Sequence, residues 1–354
     1  MTGKERVLKA IEHKTTDRVP VDFWATKDAE KKLFAHFGTD DRETVLKKLG
    51  IDMRYVFPEY TGTPLRTFPD GSKEDIWKVR RKGIKAGNAT YNEITWYPLA
   101  DAQSIGDIEK FDWPVPDNFN IADMVNVCGE HEKYAVVLCD DRTNRTTVLH
   151  QGIYLRGMEQ IMLDIALNPD FTHALFKKIS AFYLGLNKKI FEAAKGKIDI
   201  LLIGDDIGTQ TGLLLSPAQI REFVLPYLKQ YVHLCKEYGV KAMFHSCGAI
   251  RELIPDLIET GFDILNPVQV RAAGMIPAEL KDEFGGKICF HGGVDVQKTM
   301  PLGTVEEVKE EVRERIDVLG KNGGYILAPT HNFQADVPLE NMLAFYEKAV
   351  SLKT

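Results

Sequence analysis

Short runs of apolar residues alternate with longer amphipathic stretches along most of the chain. The runs predict strands that are buried on both faces, because they lack the apolar–polar alternation of a half-exposed strand. The amphipathic stretches predict helices that pack against the resulting sheet. Eight segments predict strands: 19–23, 51–57, 134–139, 198–203, 240–244, 262–265, 287–290 and 324–328.

Residues 64–98 interrupt this rhythm. Asp70-Gly71 is a turn signal, and residues 76–79 and 91–97 alternate apolar with polar positions. This pattern is typical of antiparallel hairpins. We therefore predict a β-hairpin insertion that acts as a flap over a site, although an edge ribbon without a functional role fits the pattern equally well.

The order of the remaining elements indicates the fold class. Alternating strands and helices, with all-apolar strands, predict an α/β protein whose parallel sheet is covered on both faces. Eight strand–helix units predict a closed (β/α)8 TIM barrel, here preceded by N-terminal helices and carrying the insertion at about 64–98. We expect a single domain over residues 1–354.

Composition and charge narrow the classes of partner. Hydrophobic residues make up 44% and charged residues 27%, with a net charge of −6, so a globular protein with a large core is expected. No basic run predicts nucleic-acid binding, and no signal core or long apolar span predicts membrane association, so we expect a cytoplasmic protein. Five scattered cysteines predict reduced thiols.

Polar residues collect where the predicted strands end. In barrels of this class the chemistry lies at the carboxyl ends of the strands, so these side chains should share one rim. The inference depends on the strand register, since each residue alone could be an ordinary solvated loop residue. The rim residues are Asp22, Trp24, Glu59, Asp140, Asp141, Asp205, Asp206, His245, Cys247, Asn266, Gln269, His291 and His331.

His245 and Cys247 lie two residues apart at the end of a predicted strand, so their side chains should point the same way. Imidazole and thiolate are preferred zinc ligands, although a packed cysteine beside a satisfied histidine is the commoner explanation of an isolated pair. His331 at another strand end supplies a third ligand, which leaves an open position as in catalytic zinc sites. Asp205, Asp206 and His291 are the candidate catalytic residues, as a fourth ligand or as side chains that orient the ligands or the substrate.

Several segments together resemble the uroporphyrinogen decarboxylase superfamily, over nearly the whole chain. None of the segments would suffice alone. They are Lys4–Ala10 with Asp17–Val21, Leu214–Pro217 with Phe223–Tyr227, Phe244–Gly248, Phe290–Asp295 and Pro338–Asn341.

The resemblance is stronger to the superfamily's zinc-dependent methylcobamide:thiol methyltransferases. These carry His-x-Cys at a strand end and a later Cys, where this chain has His331 in Pro329-Thr-His331. The resemblance implies Zn²⁺ on His245, Cys247 and His331, and a corrinoid carried by a partner protein. Asp141 and Gln269 are the candidate cofactor-binding residues. A small-molecule methyl donor or acceptor is implied, and a homodimer is left open.

Two alternatives stay open at this point. The first is decarboxylation of a tetrapyrrole or a similar polyacid, with Asp205 or Asp206 stabilising a protonated pyrrole. The Arg-rich N-terminal motif with which the decarboxylases hold the substrate's carboxylates has no match here, and the plausible rim cations are Arg18, Arg54 and Arg142. The second alternative is a non-catalytic module that binds a corrinoid or tetrapyrrole.

Overall fold

The computed structural model describes residues 1–86, 89–139 and 145–353. Its strands follow the predicted segments at most positions. They are β1 (Met53–Val56), β2 (Glu59–Tyr60), β3 (Lys73–Glu74), β4 (Arg80–Ala86), β5 (Ala89–Trp96), β6 (Phe119–Asn120), β7 (Ala135–Leu138), β8 (Ile200–Gly204), β9 (Lys241–His245), β10 (Ile264–Val268), β11 (Cys289–Val294) and β12 (Tyr325–Pro329).

Helices connect these strands and cover the sheet. A π-helical turn, Ile220–Val224, joins α9 to α10. The helices are α1 (Gly3–Ile11), α2 (Lys27–Phe37), α3 (Arg42–Lys48), α4 (Ile105–Lys110), α5 (Ile121–Glu130), α6 (Leu149–Arg156), α7 (Met158–Leu167), α8 (Pro169–Ala194), α9 (Pro217–Gln219), α10 (Leu225–Glu237), α11 (Ile254–Thr260), α12 (Pro277–Phe284), α13 (Thr299–Leu302), α14 (Val305–Leu319) and α15 (Leu339–Ser351). Among the described residues, none of these helices has the length and apolarity that a membrane crossing requires.

Seven strands form one curled sheet in the order β1-β7-β8-β9-β10-β11-β12, and every neighbouring pair is parallel. Parallel neighbours require a crossover connection, which the helices between successive strands provide. The sheet therefore has the strand order and helical cover of a TIM-barrel-like α/β fold.

The predicted strand 19–23 does not form a regular strand. Val21 makes an isolated parallel bridge to Leu327 of β12, and its carbonyl accepts from the Asp52 N–H just before β1. The extended segment thus lies between the two edge strands of the sheet. Pro20 has no N–H to donate, which limits the ladder on this segment to a few bonds.

The inner face of the sheet is filled by side chains from alternate positions of the strands. Ile200 and Leu202 of β8 pack in this inner cluster, whereas Leu201 and Ile203 face the helices. Helix α1 adds Val7 to the inner cluster and contacts β1, β7 and β12. The Lys4 N–H donates to the Lys133 carbonyl just before β7, and the Gly324 N–H just before β12 donates to the Ala10 carbonyl. Helix α1 therefore lies at the amino ends of these strands, and the carboxyl ends are left for the site.

The predicted insertion forms a separate three-stranded antiparallel sheet in the order β3-β4-β5. Trp77, in the turn between β3 and β4, is 1% exposed. Its ring packs on Phe182 and Tyr183 of α8, with ring centroids 4.8 and 5.5 Å apart. The base of the insertion is therefore anchored to the body of the protein. The role of the insertion as a flap stays a prediction.

Candidate functional site

Three potential metal ligands meet where β8 and β9 end. Gly204, the last residue of β8, pairs with His245, the last residue of β9. Asp206 and Cys247 each follow two residues later, so both loops leave the sheet at the same level. The ligand atoms of Asp206, His245 and Cys247 all lie within 4.8 Å of one another.

Two of the three donor spacings in this group fit one small ion. The Cys247 Sγ lies 3.8 Å from His245 Nε2, and that nitrogen lies 3.3 Å from Asp206 Oδ1. Tetrahedral zinc with ordinary bond lengths requires sulfur–nitrogen and nitrogen–oxygen separations of about 3.6 and about 3.3 Å. The thiol, imidazole and carboxylate are also donor types that zinc accepts. The residues present therefore fit the metal that the sequence predicts.

The backbone around Cys247 is fixed by contacts with neighbouring loops. The Cys247 N–H donates to Asp206 Oδ1 at 2.9 Å, and the Gly248 N–H donates to Gln269 Oε1 at 2.7 Å. Gly248 has φ of +91°, and a Cβ there would lie 2.5 Å from the carbonyl carbon of Gly208. Only glycine therefore fits this turn, which presents the thiol beside His245.

The surroundings of Asp206 favour its ionised form. Burial opposes ionisation, but the neighbouring basic groups outweigh burial and hold the pKa of Asp206 well below its usual range. Arg145 is the neighbour among them that is always a cation. The guanidinium of Arg145 lies 3.6 Å from Asp206 Oδ2, and His150 Nε2 lies 3.7 Å from the same oxygen. The site therefore offers a carboxylate at neutral pH.

Burial, with the nearby Arg145 cation, lowers the pKa of His245. The imidazole is 2% exposed and stacks on Trp24, with ring centroids 5.5 Å apart and 16° between the planes. The lowered pKa favours the neutral ring, which is the form that coordinates metal ions.

His291 lies on the inner side of Asn266, which separates it from His245, and it is not exposed to solvent. It is fully buried, its Nε2 lies 2.9 Å from Asp22 Oδ2, and its Nδ1 lies 2.5 Å from Asn266 Nδ2. Asn266 in turn contacts His245 Nδ1 through Oδ1. His291 therefore touches the metal-ligand candidates only through Asn266 in these contacts.

Asp205 is fully buried at the N-terminus of α6. Its carboxylate accepts from the Thr147 hydroxyl and from the backbone N–H groups of Val148, Leu149 and His150. Desolvation raises its pKa against the effect of these bonds. The contacts hold the first turn of α6, and with it His150, against the end of β8.

His331 does not belong to the group of three among the residues that the structure describes. It follows β12, which is three strands from β9 in the sheet order. β8 and β9 are neighbouring strands, which brings Asp206 beside His245. The N–H of Phe333, two residues after His331, donates to the carbonyl of Trp24. Ligation by His331 stays a prediction.

The structure describes one of the two predicted cofactor-binding residues. Gln269 supports the Cys247 loop, and its Nε2 donates to Gln210 Oε1 at 3.1 Å. Asp141 lies outside the described residues, in the gap 140–144. Contact of either residue with a cofactor stays a prediction.

Arg145 and His150 were not among the predicted site residues. Arg145 lies between β7 and α6, and His150 lies in the first turn of α6. The Arg145 side chain stretches across Gly204, where a Cβ would lie 2.3 Å from its Nε. The glycine at the end of an otherwise apolar strand was the available signal, because it permits such close approach of a side chain.

Comparisons with known proteins agree with this architecture. A methyltransferase from Methanosarcina mazei of known structure superimposes with a TM-score of 0.70, covering 99% of each chain at 18% identity, which indicates a shared fold. The methylated-thiol–coenzyme M methyltransferase of the same organism is 27% identical over 193 residues, which span 54% of this chain and 48% of the relative. A uroporphyrinogen decarboxylase from Hordeum vulgare is 26% identical over 267 residues, covering 73% of this chain and 76% of the relative.

A uroporphyrinogen decarboxylase from Anaeromyxobacter is 25% identical over 191 residues, or 50% of its length. The chain thus spans about half the length of the first two curated relatives that it matches. The family model described as uroporphyrinogen decarboxylase (URO-D) matches residues 146–351, which is more than half of the 354 residues. The chain belongs to the uroporphyrinogen decarboxylase (URO-D) family.

Proposed function

We propose that this protein is a zinc-dependent methyltransferase of a corrinoid-dependent methyl-transfer system. The observation that carries the proposal is the group formed by Asp206, His245 and Cys247, whose ligand atoms lie within 4.8 Å of one another. A half-buried cysteine beside a buried neutral histidine and a carboxylate is a donor set suited to a borderline-soft ion.

The relatives support methyl transfer as the reaction class. The Methanosarcina relative is, by its name, a methyltransferase between a methylated thiol and coenzyme M. Because that match spans 48% of the relative at 27% identity, substrate and corrinoid partner are proposals for this chain. We propose a small methylated compound or its acceptor as substrate, and a separate protein as the carrier of the corrinoid.

When bound, zinc supplies Lewis acidity that lowers the pKa of a coordinated thiol or hydroxyl group. The chain contributes the Cys247 thiolate, the His245 Nε2 and the Asp206 carboxylate as ligands. Arg145 and His150 contact the outer oxygen of Asp206 and keep that carboxylate oriented. Asp205 acts as a positioning residue, because it holds the helix turn that carries His150.

His331 is the proposed ligand for a fourth position. Its loop is tied to Trp24 through Phe333, and Trp24 stacks on His245, so the loop lies on the same side of the sheet as the three ligands. If His331 does not bind the ion, this position is left for the substrate, as in catalytic zinc sites. The antiparallel insertion is the proposed flap that excludes water from the bound substrate.

Zinc content tests the proposal directly. We expect about one equivalent of zinc in purified protein by mass spectrometry, and a large loss in Cys247→Ser, because a thiolate ligand is removed. Cys128→Ala is the matched control, since Cys128 is buried in α5 outside the ligand group and its substitution should leave zinc unchanged. Trace zinc in the wild type, unchanged by Cys247→Ser, would contradict the proposal.

Two further variants identify the third ligand. We expect Asp206→Asn to lower zinc affinity at least tenfold, because the amide oxygen carries no charge. His331→Ala should lower affinity comparably only if His331 is also a ligand. A loss in His331→Ala with no change in Asp206→Asn would show that the ligand set predicted from the sequence applies.

Decarboxylation of a polyacid is the second candidate, because uroporphyrinogen decarboxylases are among the matched relatives. A substrate with many carboxylates needs cationic side chains that are free to bind it. Two of the predicted cations are already paired with protein carboxylates: Arg18 with Asp52 at 2.7 Å, and Arg54 with Glu43 at 2.6 Å. Arg142 lies outside the described residues.

Product analysis separates the candidates. Incubation with uroporphyrinogen should give no loss of carboxyl groups, whereas methylated cobalamin and a thiol acceptor should give methylated thiol in a zinc-dependent manner. Loss of substrate carboxyl groups catalysed by protein that contains no zinc would favour decarboxylation. A change in cobalamin absorbance without turnover would favour a binding module.

A further inference from the structure

Four buried side chains form a hydrogen-bonded chain that runs from the ligand candidate His245 into the interior. His245 Nδ1 contacts Asn266 Oδ1, and Asn266 Nδ2 lies 2.5 Å from His291 Nδ1. His291 Nε2 lies 2.9 Å from Asp22 Oδ2. The chain joins four strand ends or segments that are distant in sequence, and it ends on a carboxylate.

Every member of this chain is shielded from water. Asp22 and His291 are fully buried, Asn266 is 1% exposed and His245 is 2% exposed. Buried polar groups must satisfy one another, since an unmade hydrogen bond there costs about 1–3 kcal/mol. The proton positions along the chain are therefore coupled, and each group restricts its neighbour.

The inner end of the chain is an acceptor held by additional donors. Trp24 Nε1 donates to Asp22 Oδ2 at 2.9 Å, and the Tyr55 hydroxyl donates to the same oxygen at 2.6 Å. Indole nitrogen is only a donor, and an oxygen that accepts from both Trp24 and Tyr55 acts as the acceptor toward His291 as well. The His291 Nε2 that faces Asp22 must then carry the proton, which leaves its Nδ1 as an acceptor.

The donor and acceptor roles can be followed outward from His291 to His245. Its Nδ1 accepts from the Asn266 amide, so the Asn266 carbonyl oxygen faces His245 and accepts from the Nδ1–H of that ring. The proton of neutral His245 then lies on Nδ1, and the lone pair lies on Nε2. That nitrogen faces Cys247 Sγ at 3.8 Å and Asp206 Oδ1 at 3.3 Å.

We infer that Asp22, His291 and Asn266 are positioning residues that fix His245 as the Nδ1–H tautomer. The use of this tautomer rests on the proposed function, because only Nε2 without a proton can bind the metal ion. Asp206 opposes the chain, since as an acceptor beside Nε2 it favours a proton there. We expect the Asn266 contact to prevail, because Asp206 Oδ1 lies 3.3 Å from Nε2 and already accepts the Cys247 N–H.

The tautomer can be measured without metal. Multiple-bond ¹H–¹⁵N spectra of metal-free protein with labelled histidine distinguish the two neutral forms, and the His245→Gln spectrum identifies the signals of His245. We expect the Nδ1–H form in the wild type. A predominant Nε2–H form in the wild type would overturn the inference.

Variants test whether the buried chain sets that form. Asp22→Leu and His291→Phe both remove a link, and we expect the Nε2–H form of His245 to appear in each, with zinc affinity about tenfold to hundredfold lower. Asp22→Asn keeps an acceptor oxygen facing His291 and should preserve the wild-type tautomer. His291→Phe leaves Asp22 paired with Tyr55 and Trp24, so it serves if Asp22→Leu does not fold.

The outcomes separate the inference from the proposed function. An unchanged Nδ1–H form in folded His291→Phe would overturn the inference, whatever its zinc content. The Nδ1–H form in a wild type that binds no zinc, with the expected shift in His291→Phe, would support the chain of hydrogen bonds and contradict the metal proposal.

Discussion

Trp24 stacks against the imidazole of His245, with 5.5 Å between the ring centroids and 16° between the ring planes. The same indole donates its N–H to Asp22 and Tyr55. Trp24 therefore contacts both the face of the proposed metal ligand and the carboxylate at the inner end of its hydrogen-bond chain. Packing on Trp24 fixes the ring plane of His245, and the hydrogen-bonded chain is proposed to fix which ring nitrogen carries the proton.

We expect the two contacts of Trp24 to be separable by substitution. Trp24→Phe keeps a flat ring against His245 but loses the N–H donor, whereas Trp24→Leu loses both. Zinc affinity, measured by competition with a chromogenic chelator, should fall by about tenfold in Trp24→Leu because the imidazole orientation is no longer fixed. The fall should be smaller in Trp24→Phe. Equal affinities in all three proteins would show that the stack does not orient the ligand.

Removal of the metal should expose one thiol. Cys247 is partly exposed, whereas the other four cysteines are buried. Burial also raises the pKa of the Cys128, Cys235 and Cys289 thiols, which suppresses the reactive thiolate form. We expect iodoacetamide to alkylate Cys247 in chelator-treated protein and to leave the other thiols unmodified, as read by peptide mass spectrometry.

Added zinc should protect Cys247 from alkylation, because a coordinated thiolate is a weaker nucleophile. Magnesium is the matched control, since it prefers oxygen ligands and should give no protection. Alkylation of Cys247 at the same rate with and without zinc would show that the thiol is not a ligand.

The sequence predicted the strands that form the sheet because they are short, apolar and separated by amphipathic helices. It also placed Asp206, His245 and Cys247 at strand ends, since this needs only the strand boundaries. Pro20 marks the limit of that approach: segment 19–23 has the composition of a strand, but its pairing is restricted to isolated bonds around Val21.

The grouping of ligands was harder to predict, because it depends on which strands are neighbours. His331 was favoured over Asp206 on donor chemistry and resemblance, and its ligation stays a prediction, whereas Asp206 lies beside His245 because β8 and β9 are adjacent. The contacts of Asn266 and Asp22 with the two histidines depend on side-chain directions inside the barrel. A strand pattern does not contain that information.

An ion pair near the N-terminus gives stability a defined pH dependence. Hydrogen bonds from Arg6, at 2.7 and 2.9 Å, hold the pKa of Asp17 below its usual range. A depressed pKa adds stability above the ordinary aspartate pKa of about 4, and this stability is lost as the pH falls toward the lower folded value. Because the Asp17 side chain is 46% exposed, we expect Asp17→Asn to lower the free energy of unfolding at pH 7 by only about 0.5–1 kcal/mol.

Urea denaturation at pH 7 and pH 3 checks this expectation, with a smaller difference between Asp17→Asn and wild type at pH 3. Glu310→Gln is the control, since Glu310 pairs with Arg313 on an exposed face of α14 and should change stability less at pH 7. A difference for Asp17→Asn that grows in acid would contradict the assigned direction of the pKa.

The anchor of the antiparallel insertion allows the flap proposal to be tested apart from the metal site. Trp77→Leu removes the ring that packs on Phe182 and Tyr183, but it removes no hydrogen bond among the described residues, since the Trp77 Nε1 has no partner there. We expect a loss of about 2–4 kcal/mol in local stability, seen as faster proteolysis within 73–96. Zinc content should stay unchanged, while the rate of methyl transfer falls because water reaches the site.

Trp96→Leu is the matched control for this change, because Trp96 lies on β5 of the same insertion but is 40% exposed. Its substitution should leave proteolysis and the rate of methyl transfer close to wild type. If Trp77→Leu loosens the insertion without lowering the rate, the three strands are an edge ribbon, and water is excluded from the site by other residues. A parallel loss of zinc in Trp77→Leu would instead show that the insertion supports the ligand loops, since Arg81 packs over Tyr154, whose ring contacts His150.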